Sequence, residues 1–268
     1  MKKQALIVCA SAGLLLSGCE KLDISPLVNS LVNPLKGDGN IQVEERPLDG
    51  KFENLDIQAP IEIEYTQSDS DKGLSIHADA NILPLIQTSV SNNRLLIKLA
   101  QSYNTATQSK MILKGPALSD VQISAPAKFS MLGLSGKEPL SMEITAPAEV
   151  LLSNPNCSSF KLTAGNAAVI EIRSMNIGSF EAKLSDATSL TAYGTLESLN
   201  LSGVGASRIS ALNLIVGEAT LKLEKASKAS LTVNRRLDVN LSDASAMEYA
   251  GSPQISSQVS GASTLKAH

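Results

Sequence analysis

The sequence predicts an all-β chain: a β-solenoid of short stacked strands with a period of about 20 residues, preceded by a β-rich N-terminal module. Three observations carry this expectation. A small-residue motif recurs eight times from residue 116 onward, short alternating strands flank its copies, and the chain holds four Phe, four Tyr and no Trp. A core usually draws much of its volume from aromatics. This one must be filled by Leu, Ile, Val and Ala, which suits narrow coils laid on one another.

In chain order, residues 1–18 read as a signal peptide. Lys2 and Lys3 form a positive start and Ala5 to Leu16 an apolar run. Twelve residues span only about 18 Å as a helix, too short for the ~30 Å hydrocarbon core, so a cleaved leader is expected rather than a membrane span. The run ends in Leu16-Ser17-Gly18-Cys19, which resembles the bacterial lipobox. That resemblance implies cleavage after Gly18 and acylation of Cys19. Two or more acyl chains anchor a protein stably. Glu20, in place of Asp, favours the outer membrane by the usual lipoprotein sorting pattern, with the cell surface and the periplasmic side both open. Without Lys2 and Lys3 the mature chain has 21 basic and 26 acidic residues, a net charge of −5, with no bulk basic character to suggest nucleic acid. Cys9 leaves with the leader and Cys19 is lipidated, so Cys157 has no partner for an internal disulfide. Its neighbours Asn156 and Ser158 supply no activating base, and a quiet structural thiol is expected.

Residues 19–40 form a lipidated tether punctuated by Pro26, Pro34, Gly37 and Gly39. Ser25-Pro26 would also start a helix, with Leu27, Val28, Leu31, Val32 and Leu35 on one face. A short amphipathic helix and a linker both fit. Residues 41–115 are the β-rich module. Ile61, Ile63 and Tyr65 alternate with Glu62, Glu64 and Thr66, a period of two. Further strands are expected at Leu74–Ile76, Ile86–Ser91, Arg94–Leu99 and Lys110–Leu113. Asn92-Asn93 makes a hairpin turn, and Asp79 is placed to cap one helical turn through Ile82 and Leu83.

Residues 116–268 carry the repeat. Its copies are Ser124-Ala125-Pro126-Ala127, Thr145-Ala146-Pro147-Ala148, Thr163-Ala164-Gly165-Asn166, Ser185-Asp186-Ala187-Thr188, Ser202-Gly203-Val204-Gly205-Ala206-Ser207, Glu224-Lys225-Ala226-Ser227, Ser242-Asp243-Ala244-Ser245 and Ser260-Gly261-Ala262-Ser263, at intervals of 21, 18, 22, 17, 22, 18 and 18. One such coil cannot bury its apolar side alone, so neighbours stack and share a core. Small residues recur where the backbone turns a corner against its copy in the next coil. An antiparallel sandwich is the rival, but its strands rarely carry one motif so regularly. Alternation with Asn200 and Lys222 points Leu199, Leu201, Leu221 and Leu223 inward.

Across residues 37–268 the chain resembles the putative auto-transporter adhesin family with the head GIN domain. The resemblance rests on Gly37-Asp38-Gly39-Asn40, Glu44-Glu45-Arg46-Pro47-Leu48, Ala59-Pro60-Ile61-Glu62-Ile63 with Thr66-Gln67, and Ala78-Asp79-Ala80-Asn81-Ile82-Leu83-Pro84. It extends to Tyr249-Ala250-Gly251-Ser252-Pro253-Gln254-Ile255 and Ser260-Gly261-Ala262-Ser263. The order and spacing of these segments are specific; no single one is. The resemblance implies adhesion and brings no catalytic residues. Where the family usually repeats Ser-Gly-Ala-Ser, this chain has Ala-Pro-Ala twice, Ser-Asp-Ala twice and Glu224-Lys225-Ala226, so no binding surface carries over.

Candidate chemistry is sparse. Asp186 and Asp243 hold equivalent motif positions three coils apart, about 14 Å at the strand spacing. Ca²⁺ ligands lie at ~2.3–2.6 Å, so the two read as turn residues. His77 on a strand and His268 at the end of the sequence assemble no Zn site. Lys222, Lys225, Lys228, Arg235 and Arg236 are a local basic cluster that could meet an anionic glycan or glycolipid phosphate, or be a solvated face. Gly203-Val204-Gly205 opens no helix and is no nucleotide loop. The expectation is a non-enzymatic outer-membrane lipoprotein, without cofactor or metal, serving surface interaction or envelope structure. The alternative is a polysaccharide-binding or polysaccharide-cleaving β-helix protein. A sugar cleft calls for aromatic platforms and clustered carboxylates, whereas Tyr65, Tyr103, Tyr193 and Tyr249 are not expected to share one coil position. The last coil, with Gln254–Val259, is a weakly protected strand edge and a candidate docking site for a second copy or an envelope partner.

Overall fold

The computed structural model describes residues 34–136 and 138–268. Gly18, Cys19 and most of the Ser25–Leu35 segment lie outside the described residues. The strands in chain order are β1 (Leu35–Lys36), β2 (Ile41–Arg46), β3 (Asn54–Gln58), β4 (Glu62–Gln67), β5 (Gly73–Asp79), β6 (Ile86–Ser91), β7 (Arg94–Leu99), β8 (Tyr103–Asn104) and β9 (Lys110–Gly115). They continue as β10 (Asp120–Ile123), β11 (Lys128–Ser135), β12 (Leu140–Ile144), β13 (Glu149–Asn156), β14 (Ser159–Ala164), β15 (Val169–Leu184) and β16 (Ser189–Gly203). The last are β17 (Arg208–Leu223), β18 (Lys228–Leu241), β19 (Ala246–Ala250), β20 (Gln254–Val259) and β21 (Thr264–Ala267).

The architecture is the expected β-solenoid, with two main faces of parallel strands and, in the later coils, a short third run between them in which residues 175–177, 194–196 and 214–216 pair in register. On one face β3, β10, β12, β14 and the second half of β15 pair in register, and the stack runs on through the second halves of β16, β17 and β18 to β20. On the other, β4, β11, β13 and the first halves of β15 to β18 lead to β19 and β21. The long strands serve both faces because each bends midway. In β15 and β16 the bend falls at left-handed residues, Ser174 (φ 53°) and Gly194 (φ 127°).

Period-two alternation aims every second side chain inward, and parallel register lays equivalent residues over one another. One column reads Leu55, Val121, Met142, Leu162, Ala182, Leu201, Leu221, Val239; all eight are buried. In the next column Phe160 and Phe180 stack with ring centroids 5.0 Å apart and planes 9° apart, an arrangement worth about 0.5–1.5 kcal/mol beyond the buried area. Leu199, Leu201, Leu221 and Leu223 are all buried, as the alternation predicts.

The corners explain the motif. In the later ones two successive residues are left-handed: Asn166 and Ala167, Asp186 and Ala187, Gly205 and Ala206, Lys225 and Ala226, Asp243 and Ala244, Gly261 and Ala262. The left-handed Ala turns its N–H along the stack. Ala167, Ala187, Ala206, Ala226 and Ala244 each donate to a carbonyl of the next corner, at 2.7–2.9 Å. The residue after it points inward: Thr188, Ser207 and Ser227 are buried, and each hydroxyl donates to the carbonyl three residues back at 2.6–2.7 Å. The motif is therefore a turn that keeps inter-coil bonding unbroken and folds its own polar atom away. The two Ala-Pro-Ala corners solve the same problem differently, since Pro holds φ near −65°.

This geometry corrects the register read from sequence at two corners. Ala164 pairs with Leu184 and Leu184 with Gly203, so the equivalents of Ser185-Asp186-Ala187-Thr188 are Gly165-Asn166-Ala167-Ala168 and Val204-Gly205-Ala206-Ser207. Both begin two residues later than the small-residue pattern suggests, and the intervals even out to between 18 and 21 residues.

The stack does not begin at residue 116. β3 and β4 form a coil directly beneath β10 and β11, with Gln58-Ala59-Pro60-Ile61 as its corner. Beneath that coil lie β7 and β9, also parallel to it. Only then does the pattern change: β6 runs antiparallel to β7, and β5 and β2 antiparallel beyond β9. A 3-10 turn, Leu83–Leu85, links β5 to β6. Asn92 and Asn93, both left-handed, close the expected hairpin. The cap expected from Asp79 is absent. The turn has no side-chain cap, and the buried Asp79 carboxylate accepts a hydrogen bond from Thr105 Oγ1.

Candidate functional site

A groove of about 810 Å³ lies across the face built from β12 and β14 and the second halves of β15 to β18. Part of its floor comes from Ser159, Ser179 and Ser198, which occupy one register position in three successive coils; Glu218 and Arg236 follow them in the next two. The adjacent outward column reads Ser141, Lys161, Glu181, Asn200, Thr220, Asp238. Over three coils Lys161, Glu181 and Asn200 stand beside these short hydroxyls and make a trough that crosses the strands. Sequence inspection for aromatic platforms misses it. The readable signal is Ser-Phe, Ser-Phe and Ser-Leu at residues 159, 179 and 198, a Ser before the inward residue of three coils in a row.

The charges in the groove are largely ion-paired. Glu181 lies 2.9 Å from Lys183, Arg236 2.8 Å from Asp238, and Arg235 bridges Glu197 at 2.5 Å and Glu218 at 3.4 Å. The hydrogen bond from Lys183 holds the Glu181 carboxyl below its ordinary value. Glu181 is therefore ionised at neutral pH, the opposite of the raised carboxylic acid that protonates a glycosidic oxygen.

The basic cluster does not converge. Lys222 stands on one outer face, Lys225 in a corner, Lys228 on the opposite face, and Arg235 and Arg236 near the far bend. Lys222, Arg235 and Arg236 each have a carboxylate partner. Asp186 and Asp243 sit in separate corners as left-handed turn residues, each accepting from the preceding Ser hydroxyl, at 2.7 and 3.3 Å. His77 lies against Ser75 at 3.3 Å and His268 against Glu248 at 2.8 Å. Gly203 belongs to an inward column, where an added Cβ would meet the Leu223 side chain at 3.0 Å. Cys157 is buried, donates to the Ser159 carbonyl at 3.4 Å, and has its thiol pKa pushed up by desolvation, as a structural thiol should. The four tyrosines do not share one coil position, although Tyr65 and Tyr249 lie in the same column. It runs inward from Tyr65 through Met131, Leu152 and Ile172, and resumes beyond a bulge at Ala211, Leu231 and Tyr249. These rings fill core rather than line a cleft. Among the described residues no group of three or more His, Cys, Asp or Glu converges as a metal site, and no helix is long and apolar enough to cross a membrane.

Fold and faces together define a β-solenoid with an antiparallel N-terminal end. The family model described as putative auto-transporter adhesin, head GIN domain, matches residues 51–253, and the chain belongs to that family. Solved structures share the fold. A putative lipid binding protein from Parabacteroides distasonis is 17% identical, with a TM-score of 0.78 over 88% of this chain and 100% of that one. A putative adhesin from Parabacteroides merdae is 17% identical, with a TM-score of 0.75 over 87% and 98%. A putative adhesin from Bacteroides fragilis is 18% identical, with a TM-score of 0.62 over 87% and 100%. No curated protein matches the chain at a significant level.

Proposed function

We propose that this chain is a lipid-anchored outer-membrane protein that displays its solenoid for non-catalytic, adhesin-like contact with an extended partner. The observation that carries the reading is the groove: a shallow trough crossing successive coils, with hydroxyls on its floor and paired charges on its flank. Such a surface offers repeated hydrogen-bonding positions about 4.8 Å apart, the coil spacing, and suits a polymer better than a compact substrate. Membership of the head GIN family supports the adhesin reading. The lipobox-like Leu16-Ser17-Gly18-Cys19 supports the anchor. A polysaccharide-binding role fits the same groove.

Two experiments test this. Cys19→Ala should abolish lipid labelling and leave an unprocessed or mislocalised precursor; normal labelling would refute the anchor. Filling the trough with Ser179→Trp should abolish attachment of the purified protein to envelope glycans or host surfaces while leaving its thermal unfolding unchanged. Undiminished attachment would move the contact away from this face.

A further inference from the structure

The two ends of the solenoid are built differently. At the N-terminal end the last strands turn antiparallel, and the edge strand β2 carries Glu44, Glu45 and Arg46. The Arg46 guanidinium pairs with Glu44 at 2.9 Å and donates across the end to the carbonyls of Leu83 and Ile86. Charge on an edge strand and a side chain tied over the core both oppose further strand addition.

The other end has no side chain tied over its core among the described residues, and its two edge strands carry a single charge, Lys266 in β21. Among the described residues β20 pairs only with β18, and β21 only with β19. β20 reads Gln-Ile-Ser-Ser-Gln-Val, without a charge. Its register on β18 sets Ile255 over Leu237, Ser257 over Val239 and Val259 over Leu241. Those partners are buried, whereas Ile255 and Val259 are 42% and 45% exposed. The inward columns thus continue into the last coil, and among the described residues nothing covers them there.

β20 is also self-complementary. Ile255 and Val259 are equidistant from Ser257. If a second β20 runs antiparallel with the two Ser257 residues opposite, each Ile255 faces the other copy's Val259, with all of these side chains on the interior side. A two-fold axis perpendicular to the sheets at that point also brings β21 against its own copy, with Leu265 continuing the column of Met247. At the N-terminal end the Arg46 side chain is tied across the core instead. We infer that two copies join end to end through β20 and β21, making one continuous solenoid with a two-fold axis at Ser257. This is an isologous contact, which closes at two copies rather than growing into a fibre.

Sedimentation velocity of the purified protein tests this, with a concentration-dependent dimer expected. The double variant Ile255→Lys, Val259→Lys should sediment as a monomer throughout. Both positions are exposed in the single chain, so its melting temperature should match that of the parent at dilutions where the parent is also monomeric, and fall below it where the parent is a dimer. The register has its own test. Antiparallel partners directly opposite lie 4.5–5.5 Å apart at Cα, within disulfide range, and diagonal ones about 7–8 Å, beyond it. Ser257→Cys should therefore give a disulfide-linked dimer under mild oxidation, and Ser256→Cys should not. A monomer at all concentrations, or a dimer indifferent to the two lysines, would overturn the inference. So would cross-linking at Ser256 in preference to Ser257.

Discussion

Replacing Leu201 with Ala probes the stack where it is most regular. Leu201 is 1% exposed and lies between Ala182 on one side and Leu221 on the other. Truncation removes three carbons, about 2.4 kcal/mol of transfer free energy at ~0.8 kcal/mol per carbon. A cavity cost adds to this, and here it is close to its full value. The coils above and below are held at strand spacing by continuous backbone pairing, and the neighbouring Ala182 is too short to fill the gap. The expected loss is about 3–4 kcal/mol, within the range for buried Leu→Ala changes. Asn200→Ala, one residue away but exposed, should stay within about 0.5 kcal/mol. Urea unfolding measures both. Because each coil depends on its neighbours, amide exchange in Leu201→Ala should quicken most in residues 180–184 and 219–223. A loss below about 1 kcal/mol, or equal losses at 200 and 201, would refute the inward register and the shared core.

Other consequences follow from the corners and the N-terminal end. Ala187 is left-handed at φ 62°, where a non-Gly residue costs about 1–2 kcal/mol. Ala187→Gly should therefore be neutral or stabilising by up to ~1 kcal/mol after its own entropy cost, whereas the β-branched Ala187→Val should destabilise; the reverse order in thermal melts would contradict the turn. Ser227→Ala removes a buried hydroxyl that donates to the Glu224 carbonyl at 2.7 Å and should cost about 1–2 kcal/mol in urea titration. The hydrogen bond from Arg46 lowers the Glu44 pKa from its ordinary 4.5. A carboxyl depressed in the folded state contributes stability that is fully present above its unfolded value and is lost as pH falls through the folded one. Acid titration below pH 4.5 should thus weaken the N-terminal end, and Glu44→Gln should flatten that part of the stability profile.

Much of the fold was legible because a repeat states the same physical problem many times. Period-two alternation placed Leu199, Leu201, Leu221 and Leu223 correctly, and the recurring small residues marked corners. The corner register was blurred at Thr163-Ala164 and Ser202-Gly203, where small residues also end the preceding strand; backbone conformation, not residue size, identifies the turn. That β3 and β4 belong to the stack was hidden by the 66-residue offset between Gln58-Ala59-Pro60-Ile61 and Ser124-Ala125-Pro126-Ala127. Between them the chain descends to build the far end before returning. Asp79 was misread because a carboxylate near a turn suggests a cap, while its bond to Thr105 joins segments distant in sequence. The groove went unseen because a search for chemistry looks for reactive or aromatic side chains. This surface is made by what Ser159, Ser179 and Ser198 leave empty.

The central claim, a solenoid held outward for contact, meets its most direct test in thiol labelling of intact cells carrying Ser179→Cys. With Cys157 buried and Cys19 acylated as proposed, a membrane-impermeant maleimide has one accessible target, in the middle of the groove. The account predicts labelling on intact cells. Labelling only after the outer membrane is permeabilised would contradict it and place the groove on the periplasmic side.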